Sequence, residues 1–173
     1  LIEITANILK RVDEETGKTL VDVILDEAAQ KGTGRWTSQN SFDLGVAIPT
    51  LSTSVESRML SALKAERTAA AQVLGGASQF TGDKEKLIAA AEQALYAAKI
   101  TSYAQGLKLL KVASQEYDWK LDFAQIPKVW RAGCIIRASL LGDIAAAFVR
   151  QPDLPNLLVD PVFSEAVLSR QAA

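Results

Sequence analysis

Apolar residues along this chain recur mostly three and four positions apart, the spacing of one face of an amphipathic helix. No stretch alternates apolar and polar residues with the period of two that marks a strand, and no segment repeats in tandem. In the first half of the chain the predicted helices are Leu1 to about Val12, Leu20–Ala29, a short one capped by Thr37 or Ser38 that ends at Gly45, and Leu51–Leu74. In the second half they are Lys84–Tyr117, one capped by Asp122 with Pro127 near its first turn, and the apolar stretch Ala132–Val149. A last helix starts at Asp160-Pro161 and runs to the chain's end. The pattern therefore predicts an all-α fold, a single domain of about seven or eight helices over residues 1–173.

The longest predicted helix has Asp83 as its N-cap and no breaker except Gly106. At 1.5 Å per residue it would span roughly 50 Å, so it must be central or cover a partner. Apolar residues surround its middle, which predicts burial on two sides. Ser102 and Gly106 would let another helix approach closely there.

The composition of the chain argues against several kinds of function. The net charge of −1 argues against general nucleic-acid binding, and the absence of a long uncharged apolar run argues against a membrane span. The chain has no histidine, the commonest general base and metal ligand, so we expect no metal site. A single cysteine and no signal-peptide pattern suit a cytoplasmic protein. Because the chain starts at Leu1 within a helical pattern, we expect it to be a piece of a longer protein.

One turn carries candidate chemistry. Gly32-Thr33-Gly34 lies between Lys31 and Arg35. It lacks the third glycine of a dinucleotide-binding turn, and its lysine precedes the glycines, unlike in a phosphate-binding Walker loop. Accessible backbone N–H groups, the Thr33 hydroxyl and the positive end of the next helix would together bind an anion such as phosphate. The alternative is a plain turn in which glycines adopt positive φ.

Arg58 supports the anion site. On a helix over Leu51–Leu74 it would lie about 60° from the centre of the apolar stripe, at roughly 100° per residue. A charge facing the core must be paired or bound to a ligand. Either Arg58 or Arg67 forms an internal ion pair with a neighbouring acid, or Arg58 turns toward the Gly-Thr-Gly loop and binds the same anion.

Three weaker candidates remain. We interpret Cys134 as a packed thiol rather than a nucleophile, because no histidine could activate it. We interpret Asp22, Asp26 and Glu27 as a solvated acidic face rather than a metal site. The stretch Tyr103–Gly106 suits either close helix packing or a ligand pocket.

Six blocks of the sequence, in this order, resemble the decarboxylating 6-phosphogluconate dehydrogenases: "LIEITANILK", "VDVILDEAAQKGTGRWTS", "RMLSALKAER", "KITSYAQGLKLL", "IPKVWRAGCIIRA" and "PDLPNLLVDPVF". The resemblance covers essentially the whole chain, but only the helical C-terminal region of that enzyme. It implies NADP-dependent oxidation of 6-phosphogluconate at C3, then loss of CO₂ to give ribulose 5-phosphate, in the pentose phosphate pathway of gluconate utilisation. It also implies a cytoplasmic homodimer whose helical regions supply most of the contact. By this resemblance Lys31 and Thr33 of the K-G-T-G loop, and Arg58 of the V-x-x-R helix, bind the substrate's phosphate.

The resemblance also implies what lies outside these residues: the N-terminal Rossmann domain, the segment with the lysine base and glutamate acid, and the C-terminal tail. We therefore expect NADP to be bound mainly by the N-terminal domain and this chain to contain no catalytic residue. A dehydrogenase assay on the isolated chain should find no turnover above the blank. Glu56 and Ser57 replace the phenylalanine and alanine that the family usually has before this arginine.

Two other functions stay open. One is a related hydroxyacid dehydrogenase that acts on a substrate without phosphate. The other is a non-catalytic helical module that only mediates association, with its loop cations solvated.

Overall fold

The computed structural model describes residues 1–76 and 78–173. These residues form nine α-helices and one short 3₁₀ turn, joined by loops, and no strand. The helices are α1 (Ile2–Lys10), α2 (Leu20–Val23), α3 (Thr33–Asp43), α4 (Pro49–Ala62), α5 (Lys64–Leu74), α6 (Lys84–Glu116), α7 (Ile126–Val129), α8 (Leu140–Arg150) and α9 (Pro161–Leu168), and the 3₁₀ turn is Leu157–Val159. The all-α prediction is confirmed. The count exceeds the predicted one because the single helix predicted over Leu51–Leu74 forms two helices, α4 and α5. Within the described residues, no helix combines the length and the apolar character needed to cross a membrane.

Helix α6 is the long central element that the sequence predicts. The Asp83 carboxylate caps it by accepting hydrogen bonds from the N–H groups of Glu85 (3.0 Å) and Lys86 (3.1 Å). Its predicted buried middle is confirmed from Ile100 onward, with buried residues as far as Ser114, whereas Ile88 and Leu95 nearer its start are 59% and 55% exposed. The second half of α6 therefore packs into the core, whereas large apolar side chains of the first half are exposed to solvent in a single chain.

The main core lies between the C-terminal half of α6 and the C-terminal elements. Its members are buried apolar side chains, and they are Ile100, Ala104, Leu107, Leu140, Leu141, Ile144, Ala147, Phe148, Leu154, Leu157 and Phe163. A smaller cluster of Val46, Ile48 and Leu109 packs the α3–α4 connection against the same helix. Burial of this apolar surface is what holds α3 and α4 beside α6.

Residues of the Tyr103–Gly106 stretch join α6 to the start of α4. The Gln105 Oε1 atom accepts a hydrogen bond from the Thr50 N–H (3.0 Å), and its Nε2 donates to Thr50 Oγ1 (3.0 Å). A Cβ atom at Gly106 would lie 3.9 Å from Leu51 Cδ1, an ordinary contact distance. Gln105 therefore joins the two helices and satisfies one of the free N–H groups at the start of α4, while Tyr103 and Gly106 also line a groove along α6.

Two long predicted helices are interrupted. The helix predicted over Leu20–Ala29 ends at Val23, because Ile24 is extended (φ −72°, ψ 154°) and side chains of α4 and α5 bind the backbone beyond it. The helix predicted over Leu51–Leu74 breaks at Leu63 (φ −88°, ψ 49°) into α4 and α5. Both breaks depend on contacts made far along the chain.

Predictions near the C-terminus are confirmed at some positions and wrong at others. The stretch Ala132–Val149 is helical only from Leu140, since Gly133 has a φ of +67° and turns precede α8. Asp122 Oδ1 accepts from the Ala124 N–H (2.8 Å) and so caps a turn that comes before α7. The Asp160 cap of α9 is confirmed, but the helix ends at Leu168.

Candidate functional site

The start of α3 coincides with the Gly-Thr-Gly turn. Gly32, with a φ of +102°, is the residue before the helix, and its N–H donates to Gln30 Oε1 (3.0 Å). The first helical hydrogen bond runs from the Trp36 N–H to the Gly32 carbonyl (3.0 Å). Three N–H groups, from Thr33 to Arg35, therefore precede any acceptor within the helix. The prediction that Thr37 or Ser38 begins the helix is wrong, because the helix begins at Thr33 and the turn itself lies at its positive end.

The first turn of α3 lies very close to α4. A Cβ atom at Gly34 would lie only 2.7 Å from Val55 Cγ2, so no larger residue fits unless the Val55 side chain or a helix shifts. The Ser38 and Ser52 hydroxyls, 3.2 Å apart, form a second link between these helices. Val55 precedes Arg58 by about one helical turn, so this contact brings the start of α3 near the part of α4 that carries Arg58.

Arg58 turns toward the segment that leads into the glycine turn. Its Nε donates to the Ala29 carbonyl (3.1 Å), and its Nη2 donates to the same oxygen. The side chain is exposed, so the expectation that it faces the core is wrong. The reason is that much of the predicted apolar stripe is itself uncovered, with Met59 and Val73 exposed.

The ion pair predicted for Arg58 or Arg67 forms at Arg67, but at the surface and not inside the core, since the Asp26 side chain is 69% exposed. Asp26 Oδ2 lies 3.0 Å from Arg67 Nη1 and 3.2 Å from Lys64 Nζ. These hydrogen bonds, that from Arg67 first, hold the pKa of Asp26 below its usual value. Asp22 and Glu27 are exposed beside Asp26, so the acidic face is solvated as predicted, although Asp26 is also paired with two cations. Within residues 1–76 and 78–173, no three acidic, cysteine or histidine residues are grouped so as to hold a metal ion.

Lys31 and Thr33 are exposed at the end of the same turn. In the described part of the chain, neither side chain has a hydrogen-bond or ion-pair partner, so both can meet a ligand. Arg58 thus binds the carbonyl of Ala29, two residues before Lys31, and the first turn of α3 packs against α4. That Lys31, Thr33 and Arg58 bind one anion stays a prediction.

Sequence reasoning missed two residues that hold this region in place. Gln30 binds the Gly32 N–H, and the Ser61 hydroxyl accepts a hydrogen bond from the Ala28 N–H (2.9 Å). Nothing in the sequence around Ser61 indicates this role, because its partner Ala28 lies 33 residues earlier in the chain.

A groove of about 1530 Å³ runs along α6 between α3, α4 and the turns before α8. Thr33, Tyr103 and Cys134 are among the residues that line it. The Tyr103 hydroxyl donates to the Ile136 carbonyl (3.3 Å), and burial, with a smaller contribution from nearby Cys134, raises the pKa of this hydroxyl. Cys134 is half-buried in the groove wall and belongs to neither apolar cluster, so the prediction of a thiol packed in the core is not confirmed.

The Asp26 ion pair should make stability depend on pH in acid. Because folding lowers the pKa of Asp26, its ionised form stabilises the fold above the unfolded pKa of about 4, and this is lost as the pH falls through the folded pKa. The difference in Tm between the chain and its Asp26→Asn variant should be constant above about pH 5 and shrink below about pH 4. Thermal unfolding monitored by circular dichroism measures it, with Asp22→Asn as the control. A difference that persists unchanged at about pH 3 would contradict this assignment.

The comparisons with known proteins agree with this architecture. The family pattern described as "6-phosphogluconate dehydrogenase, C-terminal domain" matches residues 1–173. The chain is 52% identical over 175 aligned residues to the NADP(+)-dependent, decarboxylating 6-phosphogluconate dehydrogenase of Bacillus subtilis, covering 100% of this chain and 37% of that protein. It is 48% identical over 176 residues to the decarboxylating enzyme of Synechococcus elongatus, again covering 100% of this chain and 37% of the relative.

A solved structure is similar throughout the chain. It is the 6-phosphogluconate dehydrogenase of Plasmodium falciparum, described in its apo form, with its cofactor NADP+ and with its substrate 6-phosphogluconate. The TM-score is 0.92 at 40% identity, and the match covers 99% of this chain and 37% of that one. The chain thus spans little more than a third of the length of these relatives. With the family pattern matched from end to end, it belongs to the 6-phosphogluconate dehydrogenase family, in the part of it that is the C-terminal domain.

Proposed function

We propose that this chain is the helical part of an NADP-dependent, decarboxylating 6-phosphogluconate dehydrogenase and that it binds the substrate's phosphate. In that reaction the C3 hydroxyl is oxidised as its hydride passes to NADP+, and the carboxyl carbon then leaves as CO₂ to give ribulose 5-phosphate. The observation that carries the proposal is the position of Arg58, bound to the carbonyl of Ala29, which lies four residues before the first helical residue of α3.

The proposed cradle contains donors of three kinds. The N-terminus of α3 offers backbone N–H groups and the positive end of its dipole. Thr33 adds a hydroxyl, and Lys31 adds a mobile ammonium group. Arg58 uses its Nε and Nη2 on Ala29, so the edge formed by Nη1 and Nη2 remains for two phosphate oxygens. Holding one end of the substrate contributes to rate, because oriented binding lowers the entropic part of the barrier.

The residues of this chain do not fit a dinucleotide-binding site. Such a site needs a strand, a turn with three glycines and a helix, whereas Gly32-Thr33-Gly34 has two glycines and follows a non-helical segment outside any described sheet. We therefore propose that NADP, which would accept the hydride, is bound mainly by another domain. The part played by this chain is to orient the substrate.

Substrate selectivity tests the phosphate cradle. In a full-length protein that carries these residues, kcat/KM with NADP+ should be about a hundredfold or more higher for 6-phosphogluconate than for gluconate, since two or three charged hydrogen bonds depend on the phosphate. The two substrates differ only in that group. Equal kcat/KM values would overturn the proposal and favour a hydroxyacid dehydrogenase for substrates without phosphate.

We also propose that a second copy of the chain covers the exposed apolar surface of α5 and the N-terminal half of α6. The residues of this surface are large, apolar and exposed, and they are Val73, Leu74, Leu87, Ile88 and Leu95. Large apolar side chains exposed in this number on two helices are typical of an interface. Homodimerisation through the helical region, which the family resemblance implies, would bury it.

Sedimentation velocity tests the proposed dimer. The full-length protein should sediment as a dimer, and a charge placed in this surface, as in Ile88→Glu or Leu95→Glu, should shift it toward the monomer. Val149→Glu, at an exposed apolar position of α8 outside this surface, is the control. Dimers that persist in both α6 variants would contradict the proposed interface.

A further inference from the structure

The non-helical segment Ile24–Gln30 is held by side chains of α4 and α5. The Ser61 hydroxyl accepts a hydrogen bond from the Ala28 N–H (2.9 Å), and Arg67 Nη2 donates to the Asp26 carbonyl (2.6 Å). Backbone groups that would have bonded within a longer α2 therefore find partners on the neighbouring helices. The conformation of this segment is thus set from outside it.

Arg67 joins this segment to the end of α4. Besides the Asp26 carbonyl and carboxylate, its Nη2 donates to the Ser61 carbonyl (3.0 Å). The Ser61 carbonyl lies in the last turn of α4, where no helical N–H follows to bind it. The break at Leu63 directs α5 so that Arg67, in its first turn, reaches both places. A straight helix over residues 51–74 would carry Arg67 away from its position beside Ser61.

These contacts determine where the Ala29 carbonyl lies. Ala29 follows Ala28 directly, and its oxygen binds Nε and Nη2 of Arg58. That pair of bonds selects which edge of the Arg58 guanidinium is occupied and which edge is free. A shift of the segment would rotate the guanidinium and change which edge is free.

We infer that Ser61 and Arg67 are positioning residues of the phosphate site: they hold Ala28 and Asp26 so that the Ala29 carbonyl orients Arg58 toward the anion. The inference rests on the proposed function of Arg58 and assigns the orientation of that residue to two side chains that do not touch the substrate. Loss of either contact weakens phosphate binding and leaves the chemical step intact, because the reacting carbons lie at the other end of the substrate.

Steady-state kinetics of Ser61 variants in the full-length protein test this. Ser61→Ala removes the acceptor of the Ala28 N–H and should raise the KM for 6-phosphogluconate about threefold to tenfold, the equivalent of one neutral hydrogen bond, with kcat changed less than about twofold. Ser61→Thr keeps the hydroxyl and should restore the KM. Ser57→Ala, at an exposed serine of the same helix, should have no effect. Arg67→Lys, which cannot reach both carbonyls, should raise the KM as Ser61→Ala does.

A double variant separates positioning from general structural damage. If Ser61 acts through Arg58, the KM of Ser61→Ala with Arg58→Ala should equal that of Arg58→Ala alone. Additive effects of the two substitutions on KM would overturn the inference. So would a normal KM in Ser61→Ala together with a raised KM in Arg58→Ala. Neither result would contradict the proposed phosphate site. A normal KM in Arg58→Ala would instead overturn the proposed function itself.

Discussion

Replacing Arg58 with alanine should raise the KM of the full-length enzyme for 6-phosphogluconate by about tenfold to a hundredfold. The guanidinium is exposed and keeps its Nη1 edge free, so the variant loses charged hydrogen bonds to the phosphate, worth about 1.5–3 kcal/mol. Lys31→Ala should produce a loss in the same range. Because phosphate contacts are the same in the bound substrate and the transition state, the change should fall on KM more than on kcat.

Arg35→Ala is the matched control, since it removes the same charge next to the same turn from a residue that we expect to be solvated. Gluconate provides a second control, because without a phosphate its slow turnover should be nearly the same in the variants as in the parent enzyme. Unchanged KM values for both Lys31→Ala and Arg58→Ala would favour the helical association module instead.

Replacing Asp160 with alanine should lower the free energy of unfolding by about 2–4 kcal/mol. The carboxylate is buried, with its side chain 3% exposed. Its Oδ1 accepts a hydrogen bond from the Val162 N–H (3.0 Å) and caps α9, and its Oδ2 accepts from Arg150 Nη2 (2.6 Å). The Arg150 side chain is 49% exposed and can be rehydrated when its partner is lost, which keeps the cost below that of a fully buried ion pair.

Asp160→Asn separates the two contributions, because asparagine is also a good N-cap but carries no charge. The free energy of unfolding of Asp160→Asn should therefore be about 1–2 kcal/mol higher than that of Asp160→Ala. Urea unfolding followed by tryptophan fluorescence measures both, with Asp153→Ala as a control at an exposed aspartate of the preceding loop. Equal midpoints for the alanine variant and the parent chain would show that neither contact stabilises the fold.

The predictions that succeeded depend on short stretches of sequence. Asp83 and Asp160 cap helices because each carboxylate binds N–H groups two or three residues ahead, and such signals are visible in the sequence. The all-α class follows from apolar spacing, which needs no knowledge of neighbours. The composition of the Gly-Thr-Gly turn was likewise enough to predict an accessible helix N-terminus, although the start of the helix was placed too late.

The predictions that failed depend on contacts between distant residues. Leu20–Ala29 has helical spacing, yet Arg67 binds Asp26 from 41 residues away and holds its backbone in a non-helical conformation. The exposure of Arg58 was also invisible, because the apolar stripe beside it predicts burial, and this chain does not cover much of that stripe.

By itself, then, the sequence determined the helical class, the central helix and the chemical character of the turn, since caps, glycines and apolar periodicity act within one or two turns of the chain. Packing between helices sets three other features: Gly34 lies against Val55, α4 breaks before α5, and Arg58 reaches the Ala29 carbonyl. These features join residues tens of positions apart, and their geometry depends on the packing of whole helices against α6.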